Sequence, residues 1–222
     1  MKIEVISDTH CKEREVKLQS ADVLIHCGDF SYTGSEPEII DFLVWISEIE
    51  HNYKKVLIIP GNHDASFIYQ YPLLWKEAIK TYTNNTVDLW TETYSIGEVY
   101  KFEGLTFSGF PFVPYYIDVN GFFLEASRHD KLVENIVAAD CIVSHGPPKR
   151  VMDLGGRKME HLGSQSFYDK ILEIKPKLVC FGHIHESYKP DPVKLGETLY
   201  VNAAQCDYPN YDITGTSVIV EI

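Results

Sequence analysis

The sequence predicts an α/β protein, with helices layered around two packed β-sheets. Three observations predict it. Short apolar runs of strand length recur along the chain, helical patterns separate them, and further strand patterns occupy the middle and the end.

The first strand is read in "KIEVIS" (2–7) and the second in "DVLIHC" (22–27). Both are continuous apolar runs, the pattern of a strand buried on two faces. In "EPEIIDFLVWISEIE" (36–50), Ile39, Ile40, Leu43, Ile46 and Ile49 fall at helical spacing behind a proline near the start. A third strand follows in "KVLIIP" (55–60). The stretch "YSIGEVYKFEGLTFSGF" (94–110) reads as a β-ribbon with "IG" and "EG" as turns. "SRHDKLVENIVAAD" (127–140) is a second helix. "CIVSHG" (141–146) is a strand, and "GSQSFYDKILEIK" (163–175) a third helix with Phe167, Ile171, Leu172 and Ile174 on or near one face. "KLVCFG" (177–182), "TLYVNAA" (198–204) and "TSVIVEI" (216–222) complete the strands. The 222 residues show no repeat, low-complexity tract or flexible linker, and fit one domain over 1–222.

The net charge of −12, without any block of lysine or arginine, disfavours binding to long nucleic acid. An anionic substrate would need local positive charge, which bound divalent cations supply. No apolar run reaches the roughly 18 residues of a membrane span. The opening "MKIEVISDTH" has too short an apolar part for a signal peptide, so a cytoplasmic protein is expected. Five cysteines without a C-x-x-C, three of them inside apolar runs, point to free thiols.

Chemistry-bearing residues follow the apolar runs. "SDTH" gives Asp8 and His10, and "CGDF" gives Asp29. "PGNHD" gives Asn62, His63 and Asp64, "SHGPP" gives His145, and "GHIHE" gives His183 and His185. In open α/β sheets ligands bind beyond the carboxyl ends of strands, so these donors share one edge of the fold. His26, His51, His129 and His161 read as incidental. Seven donors of mixed carboxylate, carboxamide and imidazole type exceed one tetrahedral zinc site and suit two adjacent ions sharing a carboxylate. Two such ions about 4 Å apart can clamp a phosphoryl group for in-line displacement.

The ordered set "D-x-H", "GD", "GNHD", "SHG", "GHIH" resembles the calcineurin-like metallophosphoesterase superfamily. "GFPFVPYYIDVNGFFLEASR", "HGPPKRVMD" and "KPKLVCFGHIHE…YVNAAQCD" further resemble its metallophosphoesterase-domain-containing subgroup. The resemblance implies a four-layer α/β/β/α sandwich of two mixed sheets flanked by helices. It implies one metal held by Asp8, His10, Asp29 and His185, and a second by Asp29, Asn62, His145 and His183, with Asp29 as bridge. His63 would contact substrate as general acid, and Asn62 would also touch substrate. A hydroxide between the ions would attack phosphorus. Manganese is the first expectation for both ions, with iron, zinc and nickel accepted by the same donors.

In the phosphoprotein phosphatases of the superfamily an aspartate orients the catalytic histidine and arginines grip phosphate. Here Tyr32 and Thr33 stand at those positions, in "GDFSYTG". A phosphoprotein phosphatase is therefore disfavoured, and the partner of His63 is open: Asp64 would either support it or cap a helix. The expected activity is hydrolysis of small phosphodiesters, cyclic nucleotides among them. A nuclease or phosphomonoesterase on the same centre, and a non-catalytic scaffold, are the rivals. Two segments would shape the substrate side. Phe110, Phe112, Tyr115 and Tyr116 form either an aromatic ridge or a cap on the core. Lys149, Arg150, Arg157 and Lys158 form either a loop closing over phosphate or a solvated one.

Overall fold

Residues 1–94, 97–115 and 117–222 are described by a computed structural model. The first strands are β1 (Lys2–Ile6), β2 (Val23–His26), β3 (Lys55–Ile58), β4 (Thr86–Asp88), β5 (Tyr100–Phe102), β6 (Leu105–Phe110), β7 (Val113–Tyr115) and β8 (Phe123–Glu125). They are followed by β9 (Cys141–Ser144), β10 (Leu154–Gly155), β11 (Glu160–His161), β12 (Leu178–Phe181), β13 (Val193–Leu195), β14 (Thr198–Asn202) and β15 (Val218–Glu221). The helices are α1 (Glu36–Ile49), α2 (Ala65–Ile68), α3 (Pro72–Tyr82), α4 (Ala126–Val133) and α5 (Gln165–Ile174).

Two mixed sheets result. The first has the order β15-β1-β2-β3-β4, parallel except for β15; the second runs β13-β14-β12-β9-β6-β5, with only the two outer pairings antiparallel. The period-two alternation of strand side chains sorts each apolar run into two layers. Ile3, Val5, Val23, Ile25, Leu57, Phe107, Cys141, Val143, Leu178 and Cys180 form one buried cluster between the sheets. Their alternates Leu24, Val56, Ile58, Ile142, Val179 and Phe181 pack with helix residues such as Ile39, Phe42, Trp75, Phe167 and Ile171. This is the expected helix–sheet–sheet–helix layering, and it explains why the strands read as unbroken apolar runs.

Several expectations change in detail. Leu172, expected on or near the packed face of α5, is 52% exposed; Phe167 and Ile171 are buried there, with Tyr168 and Ile174 packed beside them. The helix expected over 127–140 ends at Val133, although Ile136 beyond it is still buried. The ribbon is present as β5 and β6 around Glu103-Gly104, whereas Tyr94 belongs to a π-helical turn, Trp90–Tyr94. The "IG" turn and the ridge position Tyr116 involve residues outside the described ones. The short helix α2 and the helix α3, with Pro72 at its start, carry weak apolar periodicity and were not expected. Among the described residues no helix is long and apolar enough to cross a membrane.

The inter-sheet layer should dominate stability. Phe107→Ala should cost about 3–5 kcal/mol in urea unfolding, the range for a buried aromatic. Leu73→Ala, on the exposed start of α3, should stay within about 0.5 kcal/mol.

Candidate metal centre

Strand ends from both sheets meet at one edge. Ser7, just past β1, forms a parallel bridge with Ala204, past β14. Asp8 receives the backbone N–H of His183 on its carboxylate at 2.9 and 3.1 Å, which docks the loop after β12 onto the loop after β1. Gly182 N–H donates to the His145 carbonyl at 2.9 Å, joining the loops after β12 and β9. A Cβ at Gly182 would lie 1.9 Å from Asp8 Oδ2, so only glycine permits this approach. Asp8, His10, Asp29 and His183 all have left-handed backbone, with φ of 55°, 43°, 55° and 65°. Such conformations cost energy in non-glycine residues and gather at functional sites, where the surroundings enforce them.

The seven expected donors converge. Ligating atoms of Asp8, His10 and His185 lie within 4.8 Å of one another, and so do those of Asp29, His145 and His183. A third group, His10, Asp29 and His63, links the two. Asn62 Oδ1 lies 3.0 Å from His145 Nε2.

The imidazoles share one arrangement. Nδ1 of His10, His145 and His185 donates to a backbone carbonyl: Ser31 at 3.2 Å, Cys27 at 2.8 Å and Asp207 at 3.3 Å. That leaves each Nε2 turned inward. Metal-binding histidines are held in this way by their second nitrogen. Nε2 of His145 faces Asp29 Oδ2 at 3.2 Å as well as Asn62 Oδ1, and Nε2 of His185 faces Asp8 Oδ1 at 3.3 Å. A neutral ring would direct a lone pair at those oxygens, so either a proton or a cation must lie between. The buried Nε2 of His10 has no hydrogen-bond partner among the described residues. These observations fit a divalent metal centre.

The electrostatics agree. Burial tends to raise the Asp8 and Asp29 carboxyls, but His185 beside the first and His145 beside the second hold both well below the usual carboxylate range. His145 is pushed up to about 9: burial opposes its charge, and Asp29 overrides that. His10 falls to about 4 and His183 to about 3, chiefly through burial, so both are neutral and available as ligands.

A model of the calcineurin-like phosphoesterase family matches residues 1–187. The chain belongs to that family. Metallophosphoesterase domain-containing protein 1 of Homo sapiens is 28% identical over 234 residues, covering 98% of this chain and 69% of the human one. Uncharacterized protein MJ1162 of Methanocaldococcus jannaschii is 32% identical, covering 100% of this chain and 96% of its own. TT1561 of Thermus thermophilus shares the fold, with a TM-score of 0.64 at 14% identity over 92% of this chain and 90% of the other. The family and the clustered donors make this a metal-dependent phosphoesterase with a divalent metal centre.

Around the donors, this calcineurin-like phosphoesterase places supporting groups, of which the sequence marks Tyr32, Thr33 and Asp64 but not His26 or Tyr211. His63 Nδ1 donates to the Tyr32 carbonyl at 2.8 Å, so the residue at the aspartate position orients it through its backbone. Asp64 does not do so, and it makes no side-chain cap for α2. Its fully buried carboxylate instead accepts from Asp29 N, Ser31 N, Ser31 Oγ and Gly61 N, fixing the loops that carry Asp29 and Asn62. Thr33 is engaged with Glu38 of α1 through its amide and hydroxyl. His26, read as incidental, accepts from Gly28 N at 3.2 Å through Nδ1 and faces Thr9 Oγ1 at 3.1 Å through Nε2, tying the Asp8 and Asp29 loops together. Tyr211 packs edge-on against His10, ring centroids 4.6 Å apart, and no sequence pattern marks it.

The donors open on a cleft of about 480 Å³ lined by Asp29, Asn62, His63, Arg157, His183 and His185 among others. Phe110 and Phe112 are buried in the core and form no ridge, whereas Tyr115 is 43% exposed and lines the cleft. Of the four basic loop residues, Arg157 lines this cleft and Lys149 a neighbouring cavity.

A bound ion should change the pH dependence of stability. In the metal-free protein the His145–Asp29 pair contributes fully below 6.5 and is lost as pH rises through about 9, because the raised group is His145. An ion displaces that proton, so its affinity should rise over the same window. Thermal melts with and without Mn²⁺ check both slopes; parallel slopes would refute the displacement. Gly182→Ala should push the Asp8 carboxylate aside and lower ion stoichiometry, measured by elemental analysis of desalted protein.

Proposed function

We propose that this protein is a two-metal phosphodiesterase acting on small substrates, cyclic nucleotides among them. One observation carries the reading: two donor groups, Asp8–His10–His185 and Asp29–His145–His183, are linked through a third that contains His63. Asp8, His10, Asp29 and His185 would hold one ion, and Asp29, Asn62, His145 and His183 the other. Manganese is the first ion to test, and iron, zinc and nickel match the same donors. Bound there, the ions supply charge for the phosphoryl oxygens and a water of lowered pKa.

The chain's own residues then have defined tasks. Asp29 N–H donates to Asp64, and Asp29 Oδ1 accepts from His63 N at 2.8 Å, so the carboxylate that would serve both ions and the residue that would act as acid are set by one network. Asn62 reaches the cleft and can donate its amide to a phosphoryl oxygen. His63 Nδ1–H is committed to the Tyr32 carbonyl, so a proton on Nε2 is the one available to the departing alkoxide.

A diester fits better than a monoester. Among the described residues the cleft has a single lysine or arginine, Arg157, beside Glu186 and Asp29, so the protein itself offers little to balance a dianion. The free cysteines suit a reducing compartment, in keeping with a cytoplasmic enzyme.

The test is hydrolysis of bis(p-nitrophenyl) phosphate against p-nitrophenyl phosphate with added Mn²⁺, with faster turnover of the diester expected. His63→Ala should keep its ions and slow an alkyl-leaving diester at least about a hundredfold, with a smaller effect on a p-nitrophenyl leaving group. Near-normal turnover of the alkyl diester would remove His63 from the mechanism.

A further inference from the structure

A cavity of about 540 Å³ adjoins the metal centre; His183 lines it and His63 does not. Its volume lies in the range of small-molecule sites, roughly 300–1,000 Å³. His161, on the β10–β11 hairpin, faces into it together with Tyr115, Phe123, Asp130, Lys149 and Gln165.

His161 is held in an unusual way for a residue of an exposed hairpin. The carboxylate of Asp153, only 1% exposed, accepts from His161 Nδ1 at 2.7 Å, from Arg150 N at 2.9 Å and from Gly163 N at 3.0 Å. The carboxylate is thus fixed by two backbone donors before it meets the ring. It sets the tautomer with the proton on Nδ1 and leaves Nε2 as the ring's remaining hydrogen-bonding atom. Yet the ring is 43% exposed, so this anchoring orients a group at a surface rather than burying one.

The other walls complete a recognisable chemistry. Tyr115 and Phe123 pack edge-to-face with centroids 4.4 Å apart and give the cavity an aromatic side. Lys149 offers donors; Asp130 accepts from Ser166 Oγ through Oδ1 and keeps Oδ2 as an acceptor, and Gln165, whose Nε2 donates to Asp169 at 2.9 Å, keeps its amide oxygen and a second N–H. A sugar presents the complementary surface, with a C–H face for the aromatic pair and hydroxyls that both donate and accept. The opposed charges of Lys149 and Asp130 also suit a neutral polyol better than a second phosphate.

We propose that this cavity binds a sugar on the retained arm of the phosphodiester, with His161 Nε2, positioned by Asp153, reading its hydroxyls. The proposal rests on the diesterase reading above. With the leaving oxygen of an acyclic diester turned to His63, the other ester arm runs past His183 into this cavity.

Three diesters with one p-nitrophenyl leaving group test it on Mn²⁺-loaded protein: the retained arm is methyl, glucose joined through its 6-hydroxyl, or thymidine. A lower KM is expected for either sugar-bearing arm than for methyl. Glucose and thymidine behaving alike would assign recognition to the sugar hydroxyls, and an advantage for thymidine alone would overturn the sugar reading in favour of a base. His161→Ala should raise KM for the sugar-bearing arms about tenfold, equivalent to about 1.4 kcal/mol, and leave kcat and the methyl diester unchanged. An equal effect on all three diesters would overturn the proposal. Asp153→Asn should raise the same KM values, with kcat unchanged. Should no diester turn over, the diesterase reading fails instead, and calorimetry with thymidine monophosphate decides the subsite. Binding weakened by His161→Ala supports it, and binding that is absent or indifferent to the substitution overturns it.

Discussion

Two carboxylates buried at the junction of two sheets are the constraint on which the rest of this structure depends. Asp8 and Asp29 are 0% and 2% exposed, and each is an anion where water cannot solvate it. An isolated buried carboxylate would take up a proton. Here both stay charged because imidazole nitrogens and backbone N–H groups surround them, and three of those imidazoles are pinned from behind by carbonyls. The arrangement is balanced only when something positive occupies the middle. Asp29 raises His145 to about 9 and Asp8 raises His185 in the metal-free protein, while the buried His10 Nε2 keeps no partner among the described residues, as a divalent metal centre would leave it.

The loops that deliver these donors carry backbone strain and offset it through polar ties. Left-handed φ at Asp8, His10, Asp29 and His183 turns each side chain inward at a strand end instead of along the strand. Asp64 and His26 hold those turns closed by accepting backbone N–H groups that would otherwise be buried without partners. Both residues act on the metal centre without facing it, which is why substitutions there would disturb ion binding and packing together.

Most of the framework was legible in the sequence because burial on two faces leaves a plain mark: runs such as "KVLIIP" and "KLVCFG" have no polar alternation to confuse them. The donors were legible for a related reason, each standing within four residues of a run's end. Helix α3 was not, since its core face rests on little more than Trp75 and Ile79, with Leu73 and Leu74 exposed. Leu172 misled for the opposite reason, an apolar residue beside a face already filled. The support of His63 was illegible in principle, because a backbone carbonyl has no residue type. Asp64 was visible, but its partners come from separate stretches of chain, which one-dimensional spacing cannot show.

The carbonyl of Tyr32 also bears on what kind of ester this site handles. A carboxylate behind His63 would fix the same tautomer and add a negative charge a few ångströms from the incoming phosphate. A carbonyl fixes the tautomer without that charge, and the Tyr32 ring, 50% exposed, lines a cavity of about 400 Å³ that reaches Asn62 and His63. Thr33, at the position of a phosphate-gripping arginine in the phosphoprotein phosphatases, is hydrogen-bonded to Glu38 of α1, so this strip presents the Tyr32 ring and no cation. Such a rim neither repels nor strongly attracts an anion, and it offers apolar surface to whatever is esterified to the phosphate. Under the diesterase reading proposed above, selection at this mouth would fall on the organic arms of the substrate more than on its charge.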